Sequence, residues 1–475
     1  MRALLGIIIW ISFSIAGVLA AENRSVMVHL FEWPWDDVGR ECKEVLGPAG
    51  FAAVQVSPPG EHAVFDFAPW WQRYQPVSYR IESRSGTREE FRAMVAACAE
   101  AGVAIYVDAI LNHMSFKDAG TGSSGSEHTR YNYPGIYGNQ DFHSCRRGID
   151  RPWDRWEVQH CDLATAPDLA TGSPYVRQVL SAYLQDLVDL GVKGFRLDGA
   201  KHMPAGDIAA ILASVSPRPY VFQEVIDFGF ETVSATEYFS TGDVTEFRFS
   251  NLIAHTFRSG KLADLHNFEA RNYLMPYDKA VVFIDNHDNQ RGHGAPDHAI
   301  SFRDGKLHEL ANLFMLAQPY GYPRLMSSYE FSDGDEGPPS IDGQTNKVLK
   351  RDGTCSSGWV CEHRKKAILG MIRFHNETLG AQMTRWWSNG NDQIAFSREK
   401  QGFFALNREE LGKLTGKLET DLPTGKYCDL ITGFKVNDIC TGETLVVNRE
   451  GFISIDISAS SAVGTTLSQK LDPQY

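Results

Sequence analysis

GFRLD, residues 194–198, is a short apolar run that ends in a carboxylate. VFQE at 221–224 and FIDNHD at 283–288 share this design. Such runs are typical of buried strands. A carboxylate at the end of a buried strand is costly unless it is paired or used in chemistry. Three of them therefore predict strand ends that converge on one site for acid–base and nucleophilic chemistry.

Strand and helix patterns alternate around these segments. Strands are predicted at 25–33, 51–57, 103–111, 194–198, 220–225, 243–249, 280–285 and 323–328. Helical spacing of apolar residues predicts helices between them, most clearly at 88–101, 174–190 and 306–318. Such alternation predicts a parallel sheet with right-handed crossovers. Eight strand–helix units predict an α/β fold, the TIM (β/α)8 barrel, with its site at the carboxyl ends of the strands.

Two regions depart from the alternation. Residues 112–168 are rich in Gly, Ser, Asn and Tyr, and they are too long for an ordinary loop, so they predict a small domain inserted after strand 3. Residues 382–475 alternate apolar with polar side chains between turns, which predicts a C-terminal antiparallel β-sandwich. The barrel is then formed by residues 21–111 and 169–381.

The N-terminus has the pattern of a secretory signal peptide at residues 1–20. Arg2 precedes an apolar run, and Val18-Leu19-Ala20 is a small-x-small cleavage site. An uncleaved membrane anchor is the alternative, because the apolar run is nearly long enough to span a bilayer. We expect a secreted, extracellular protein with no membrane contact after cleavage.

Composition restricts the partners. The chain has 475 residues, 43% of them hydrophobic, and a formal net charge of −13 without any Lys/Arg-rich run. This balance argues against nucleic acid and anionic membranes as partners and favours a neutral substrate. Nothing in the sequence demands more than a monomer.

The eight cysteines favour disulfides in a secreted chain. Zinc ligation is the weaker alternative, because no Cys-x-x-Cys pair occurs. Eight cysteines allow 105 pairings, so their spacing alone leaves the connectivity open.

Alternation along a strand places Arg196 and Asp198 on one face, and Asn286 and Asp288 on one face. Inward-facing polar residues at strand ends can build a site. For any single one of the three acids, the alternative is a buried salt bridge.

Four segments in chain order resemble the signature regions of the α-amylases in glycoside hydrolase family 13. They are VDAILNH (107–113), GFRLDGAKH (194–202), FQEVID (222–227) and FIDNHDNQRGHG (283–294). Residues 68–87 and 320–331 resemble the animal-type, chloride-dependent subgroup. The resemblance covers essentially the whole mature chain. It implies a secreted, endo-acting, retaining α-amylase that hydrolyses internal α-1,4-glucosidic bonds of starch, glycogen and maltooligosaccharides.

The resemblance implies a role for each acid. Asp198 is expected to be the nucleophile, Glu224 the general acid and base, and Asp288 the residue that stabilises the oxocarbenium-like transition state. Retention of configuration needs one ionised and one protonated carboxyl group, about 5–5.5 Å apart.

A set of substrate-binding residues is also implied. It comprises Trp70, Trp71, Tyr74, Gln75, His113, Arg196, Lys201, His202, Ile226 and His287. For the tryptophan pair the alternative is a place in the core, and for His113 and His287 it is a structural role. The polar, proline-punctuated loop around the tryptophans favours sugar contact.

The resemblance implies one structural Ca²⁺ and one activating Cl⁻. Calcium would be held by side-chain oxygens of Asn112 and Asp168 and by backbone carbonyls of Gln159 and His202, clamping the insertion against the barrel. Chloride would lie by Arg196, Asn286 and Arg324 and tune the protonation of Glu224. The alternative is that Asp198 itself lies between the two guanidinium groups.

The family's disulfides carry over as Cys42–Cys98, Cys145–Cys161, Cys355–Cys361 and Cys428–Cys440. One further bridge of many vertebrate members has no cysteines here, and the segment after Gly294 is slightly shortened. The rival functions are an α-glucosidase or transglycosylase on the same barrel and a non-catalytic carbohydrate-binding relative. Loss of a catalytic acid would favour the latter, and none is lost.

Overall fold

The computed structural model describes residues 24–294 and 299–472. The predicted signal peptide and the first residues after Gly294 lie outside the described residues. In the described part of the chain, no helix has the length and apolar character needed to cross a membrane.

Eight parallel strands close into a barrel in chain order, so that the last strand pairs with the first. They are β1 (Met27–Leu30), β2 (Ala53–Val56), β3 (Ala104–Ile110), β4 (Gly194–Asp198), β5 (Tyr220–Gln223), β6 (Asp243–Thr245), β7 (Ala280–Val282) and β8 (Tyr322–Ser327). The predicted TIM barrel is confirmed. Most strand residues are buried on both faces, because the lumen is filled with side chains and helices cover the outside.

Helices connect and surround the strands. The main ones are α1 (Trp35–Glu41), α2 (Arg88–Glu100), α3 (Arg155–His160), α4 (Pro174–Asp189), α5 (Ala205–Leu212), α6 (Phe247–Arg258), α7 (Lys306–Ala317) and α8 (Lys366–Glu377). Shorter pieces include a π-helical turn at Cys42–Leu46 and helices at Gly47–Ala49 and Phe268–Arg271. Helix α2 shows why the local sequence folds in this way: Thr87 and Glu90 form a capping box at its start, and Phe91, Met94, Val95 and Cys98 bury one face.

The predicted strand at 243–249 is wrong in its second half. Strand β6 ends at Thr245, and helix α6 begins at Phe247. The Glu246 side chain caps this helix by accepting a hydrogen bond from the Arg248 amide at 3.1 Å. A capping carboxylate followed by aromatic residues was therefore mistaken for the continuation of a strand.

The inserted domain lies between β3 and α4. It contains helix α3 and two short two-stranded sheets, Ala119–Thr121 with Glu127–Thr129 and Cys145–Gly148 with Cys161–Asp162. Its end returns to the barrel through a bridge between His113 and Asp168. The insertion therefore closes over the carboxyl end of β3.

The C-terminal domain is all β. A four-stranded sheet is formed by Met383–Ser388, Gln393–Arg398, Gly402–Asn407 and Ser461–Thr466. A five-stranded sheet is formed by Leu414–Glu419, Gly425–Cys428, Thr444–Val447, Phe452–Ile457 and Lys470–Leu471. Apolar residues from both sheets, among them Phe403, Tyr427 and Ile453, pack together in one core. This is the predicted antiparallel sandwich.

All eight cysteines are paired, in the connectivity that the resemblance implied. The bridges are Cys42–Cys98, Cys145–Cys161, Cys355–Cys361 and Cys428–Cys440. The first joins the end of α1 to α2, and the second pairs the two strands of a small sheet in the insertion.

Candidate active site

Three strand ends deliver the predicted acids to one guanidinium group. Asp198 ends β4, Glu224 follows β5 directly, and Asp288 lies on the segment after β7. Arg196 Nη1 is 2.8 Å from Asp198 Oδ1, while its Nη2 is 2.6 Å from Glu224 Oε1 and 3.9 Å from Asp288 Oδ2. The structure therefore places all three carboxylates within reach of one another.

A fourth carboxylate, Asp108, was missed by sequence reasoning. It pairs in register with Arg196 on the neighbouring strand, and its Oδ1 lies 2.6 Å from Arg196 Nη1. Its Oδ2 accepts hydrogen bonds from Tyr74 Oη at 2.9 Å and Gln55 Nε2 at 3.2 Å. The available signal was an acid in the middle of the apolar run VDAIL, which only a buried partner can stabilise.

Burial and mutual repulsion dominate the electrostatics of this cluster. Burial raises the pKa of Asp198 well above its ordinary value, although Arg196 opposes the shift. Burial and the neighbouring Glu224 likewise raise the pKa of Asp288 to about 7. Because carboxylates outnumber the guanidinium groups among them, their mutual repulsion favours protonated carboxyl groups in the cluster.

Neutral imidazoles border the acids. His287 Nε2 lies 3.3 Å from Asp288 Oδ2, and its ring stacks on Tyr74 with centroids 5.2 Å apart. Burial and the charge of Arg196 hold the pKa of His287 well below its ordinary value. His113 Nε2 lies 3.0 Å from the Tyr74 carbonyl oxygen, and burial lowers the pKa of His113 to about 4.

The predicted aromatic residues divide into a buried and an accessible group. Trp70 is only 5% exposed, because Phe31, Tyr74 and His287 pack edge-on around its ring. Trp71 is partly exposed and belongs to a cluster with Phe65, Phe67 and Phe116, which sequence reasoning missed. Trp71 is therefore the accessible ring of the predicted pair. Gln75 Oε1 accepts a hydrogen bond from the Phe116 amide at 2.9 Å.

Glu224 lines a cleft of about 470 Å³. Its lining includes Leu163, Lys201, His202, Glu224 and Ile226. Lys201 Nζ donates a hydrogen bond to the Ile226 carbonyl at 2.7 Å. The structure thus brings the predicted residues Lys201, His202 and Ile226 together beside the expected acid.

Arg196, also predicted to bind the sugar, is almost completely buried. It is 1% exposed and lies beneath the carboxylates. Asp108 and Asp198 contact its Nη1, and Glu224 lies next to its Nη2. Its guanidinium group therefore contacts Asp108, Asp198 and Glu224.

The donor chemistry around Asn112 fits a hard cation. Both polar side-chain atoms of Asn112 are buried without a hydrogen-bond partner among the described residues. Asp168 is 2% exposed, and its Oδ2 lies 2.5 Å from His143 Nδ1. Burial together with Asp162 raises the pKa of Asp168 well above its ordinary value, against the opposing effect of the nearby Asn112 amide. An unpartnered amide beside a buried carboxylate is an arrangement that an oxygen-seeking cation such as Ca²⁺ relieves.

The carbonyl donors lie on adjoining elements. Gln159 belongs to α3, and His202 lies in the turn Ala200–His202. The ring nitrogen Nδ1 of His202 is 2.9 Å from the carbonyl oxygen of Val158, the residue before Gln159. Within the described ranges, no group of three or more His, Cys, Asp or Glu side chains could hold a metal. A calcium site here therefore depends on the amide and carbonyl oxygens.

The surroundings of Arg324 fit a small anion. Its Nη1 donates to Gln55 Oε1 at 3.0 Å, whereas its Nη2 and Arg196 Nε are buried without a hydrogen-bond partner in the described part of the chain. Burial and the charge of Arg196 lower the pKa of Arg324 to about 10. The side-chain oxygen of Asn286 is already used, since its Oδ1 accepts hydrogen bonds from the backbone amides of Asp288 and Asn289. Only its amide nitrogen could donate to an anion.

Comparisons with known proteins identify the relatives of this chain. The family model described as "Alpha amylase, catalytic domain" matches residues 49–218, and "Alpha amylase, C-terminal all-beta domain" matches residues 386–466. An α-amylase of Tenebrio molitor is 45% identical over 93% of this chain and 96% of its own length. An α-amylase-related protein of Drosophila sechellia is 44% identical over 93% of this chain and 92% of its own.

A solved structure shows the same fold. Wild-type α-amylase I of Eisenia fetida matches with a TM-score of 0.88 and 39% identity, covering 94% of this chain and 97% of its own. A mutant of that enzyme in complex with maltohexaose matches equally well. These comparisons confirm the resemblance carried by the four signature segments. The chain belongs to the α-amylase family of glycoside hydrolases.

Proposed function

We propose that this enzyme hydrolyses internal α-1,4-glucosidic bonds of starch, glycogen and maltooligosaccharides with retention of configuration. The observation that carries the proposal is the convergence of Asp198, Glu224 and Asp288 on Arg196 at the carboxyl end of the barrel. Glu224 lines a cleft together with Lys201, and the ring of Trp71 is partly exposed, so we infer that the sugar chain extends from the acids in both directions. Such a cleft suits a chain cut at an internal bond.

The reaction proceeds by two displacements. Asp198 forms a bond to the anomeric carbon while Glu224 gives its proton to the departing glycosidic oxygen. Glu224 then takes a proton from water, which attacks the same carbon and releases Asp198. The Gly199 amide donates to Glu224 Oε2 at 3.0 Å and holds this carboxyl in place. Asp288 stabilises the positive charge that develops on the sugar ring.

Glucose units bind along the cleft. His113 and His287 form hydrogen bonds with hydroxyl groups near the cut, and Trp71, supported by Trp70 and Tyr74, presents an aromatic face to the chain. Lys201, His202 and Ile226 hold the units on the leaving side.

Two ions complete the proposal. Asn112, Asp168 and the carbonyls of Gln159 and His202 would hold Ca²⁺, which supplies a structural link between the insertion and the barrel. Arg196, Arg324 and Asn286 would hold Cl⁻, which supplies a negative charge that favours the protonated state of the acid cluster.

The enzyme acts outside the cell as a monomer in this proposal. Four disulfides and the predicted signal peptide support an oxidising, extracellular location.

A maltoheptaoside blocked at its non-reducing end tests the function directly. An endo-acting enzyme cleaves it and lowers the viscosity of starch before much glucose appears. An α-glucosidase leaves the blocked substrate intact, and a transglycosylase yields longer products. A binding protein yields no new reducing ends, even with calcium and chloride present.

A further inference from the structure

Glu32 is a fully buried acid outside the catalytic cluster. It follows β1 after one intervening residue, and its backbone has a φ of 66°, which is uncommon for a residue other than glycine. Ser57 Oγ lies 2.9 Å from its backbone nitrogen. A buried carboxylate on a strained backbone persists only when its surroundings hold it firmly.

Two arginines surround the Glu32 carboxylate. Arg84 Nη2 donates to Oε1 at 2.7 Å and Arg84 Nε to Oε2 at 3.0 Å, a bidentate pair. Arg73 Nη1 donates to Oε2 at 2.9 Å. Both arginines are almost fully buried, so the three charges are shielded from water. Burial alone would raise the pKa of Glu32, but Arg84 and Arg73 outweigh it and lower the pKa, so the group is ionised.

These arginines hold the aromatic loop, defined here as residues 63–75. Arg84 Nη1 donates to the Ala68 carbonyl at 3.2 Å, and Arg84 Nη2 to the Trp70 carbonyl at 3.3 Å. Arg73 belongs to the loop and shares the turn Trp70–Tyr74. Its Nε donates to the Pro58 carbonyl at 3.0 Å. Glu32 thus connects the first barrel strand to both ends of the turn that carries Trp70, Trp71 and Tyr74.

Charge explains why the acid is needed. Without the negative charge of Glu32, two buried guanidinium groups would face each other with little water to screen them. An outward movement of Arg73 would reduce this repulsion, and because Arg73 belongs to the turn Trp70–Tyr74, the turn would move with it. Such a movement shifts Trp71 relative to the acids. It reaches the acid cluster only through the hydrogen bond from Tyr74 to Asp108, because Arg73 and Arg84 themselves contact neither Arg196 nor the three predicted acids.

We propose that Glu32 is a positioning residue that sets the alignment of the aromatic loop and thereby the grip of the cleft on glucose units at the Trp71 side. The inference rests on the proposed function, because it takes Trp71 as a sugar-binding surface. Glu32 itself does not touch the substrate. It acts through Arg73 and Arg84.

The test is E32Q, assayed on starch, on maltohexaose and on a short chromogenic maltoside. We expect KM for maltohexaose to rise roughly tenfold and kcat to change by no more than a factor of about three, because the main loss is in uniform binding and the cluster is reached only through Tyr74 and Asp108. The positions at which maltohexaose is cut should shift, since binding at the Trp71 side decides the register. The chromogenic maltoside is chosen to be too short to contact Trp71, and its KM and kcat should change little.

E41Q is the matched control. Glu41 is also fully buried and paired with a guanidinium, that of Arg364, and with His363 Nε2 at 2.8 Å. Neither partner contacts the aromatic loop through a hydrogen bond in the described residues. We expect E41Q to lose stability but to keep the wild-type KM and cleavage pattern. Equal changes in E41Q and E32Q would overturn the inference.

R84K is the second variant, in case E32Q does not fold. Lysine keeps the positive charge but cannot reach Glu32, Ala68 and Trp70 together. We expect R84K to show the same shift in cleavage pattern. We also expect that the loss of kcat/KM for maltohexaose caused by E32Q or R84K is not additive with the loss caused by W71A. Additive losses of kcat/KM would overturn the positioning role and leave the proposed function intact. The same holds if E32Q and R84K both fold and keep the wild-type cleavage pattern. An inactive wild type would overturn the proposed function and this inference with it.

Discussion

Arg196 serves carboxylates that the proposed mechanism needs in different protonation states. Its two terminal nitrogens face Asp108, Asp198 and Glu224 at 2.6–2.8 Å. Asp108 is the deepest of these acids and does not face the cleft. We infer that Asp108 holds the guanidinium in place, so that Asp198 and Glu224 are presented to the substrate without being fixed in a closed salt bridge.

E224Q should abolish turnover while sparing substrate binding. The amide keeps the shape of the side chain but has no acidic proton to transfer to the leaving oxygen, so kcat should fall about 10³-fold. Steady-state kinetics on maltoheptaose measure this, together with binding of maltohexaose by calorimetry. The exposed Glu89→Gln in helix α2 is the control. An E224Q enzyme with more than a tenth of wild-type kcat would contradict the assignment.

Chloride removal should shift the pH profile in a defined direction. A bound anion beside the cluster favours the protonated carboxyl groups, so its removal lets the acid lose its proton at lower pH. In chloride-free buffer we expect lower activity and an alkaline limb of kcat/KM displaced toward acid. R324Q should remove the response to chloride. An unchanged profile in wild type would count against the anion site.

For single residues, the sequence predicts which side chains take part in the chemistry better than it predicts which side chains are exposed. Asp198, Glu224 and Asp288 could be found because an acid at the end of an apolar run is costly unless it is paired or takes part in chemistry. Asp108 could not be found by the same rule, because it lies inside a run rather than at its end. The burial of Trp70 could not be foreseen either, since Phe31 and His287 reach it from distant strands.

Elements were predictable where a local signal was strong. Helix α2 has both a capping box and an apolar face, and its predicted span of 88–101 matches Arg88–Glu100 closely. Strand β7 ends at Val282, although the apolar run continues to Ile284, because the chain leaves the barrel to carry His287 and Asp288 into the site. Strand ends at a functional site follow tertiary needs, which a single sequence does not display.

The disulfide between α1 and α2 should contribute more stability than the bridge of Cys355 with Cys361. The first closes a separation of 56 residues and the second only 6, and the entropy removed from the unfolded chain grows with loop length. C42S/C98S should lose about 4 kcal/mol of unfolding free energy and C355S/C361S about 2 kcal/mol. Urea unfolding followed by circular dichroism measures both. The reverse order would contradict the entropic explanation.

The whole molecule was predictable in architecture. Eight strand–helix units led to the closed barrel, and the change of pattern near residue 382 led to the sandwich. The ion sites were not predictable from spacing, because half of the calcium donors are backbone carbonyls, which leave no trace in residue type. Only the resemblance supplied them.

Calcium should stabilise the junction of the insertion and the barrel. Chelation leaves Asn112 unpartnered beside the buried Asp168, so the insertion should loosen first. We expect a lower Tm and earlier proteolytic cleavage within residues 112–168, both restored by Ca²⁺ but poorly by Mg²⁺, which demands a tighter octahedral site. N112A should behave like the chelated wild type. A Tm that does not respond to chelation would contradict the calcium site.

The retaining mechanism is tested most directly by proton NMR of the first products formed from soluble starch. With Asp198 as nucleophile and Glu224 as acid and base, two displacements place the new reducing ends in the α-configuration. We predict that α-anomeric signals appear first and that β-anomers follow only as mutarotation proceeds. Early β-anomers would mean a single displacement by water, which would contradict the nucleophilic role of Asp198.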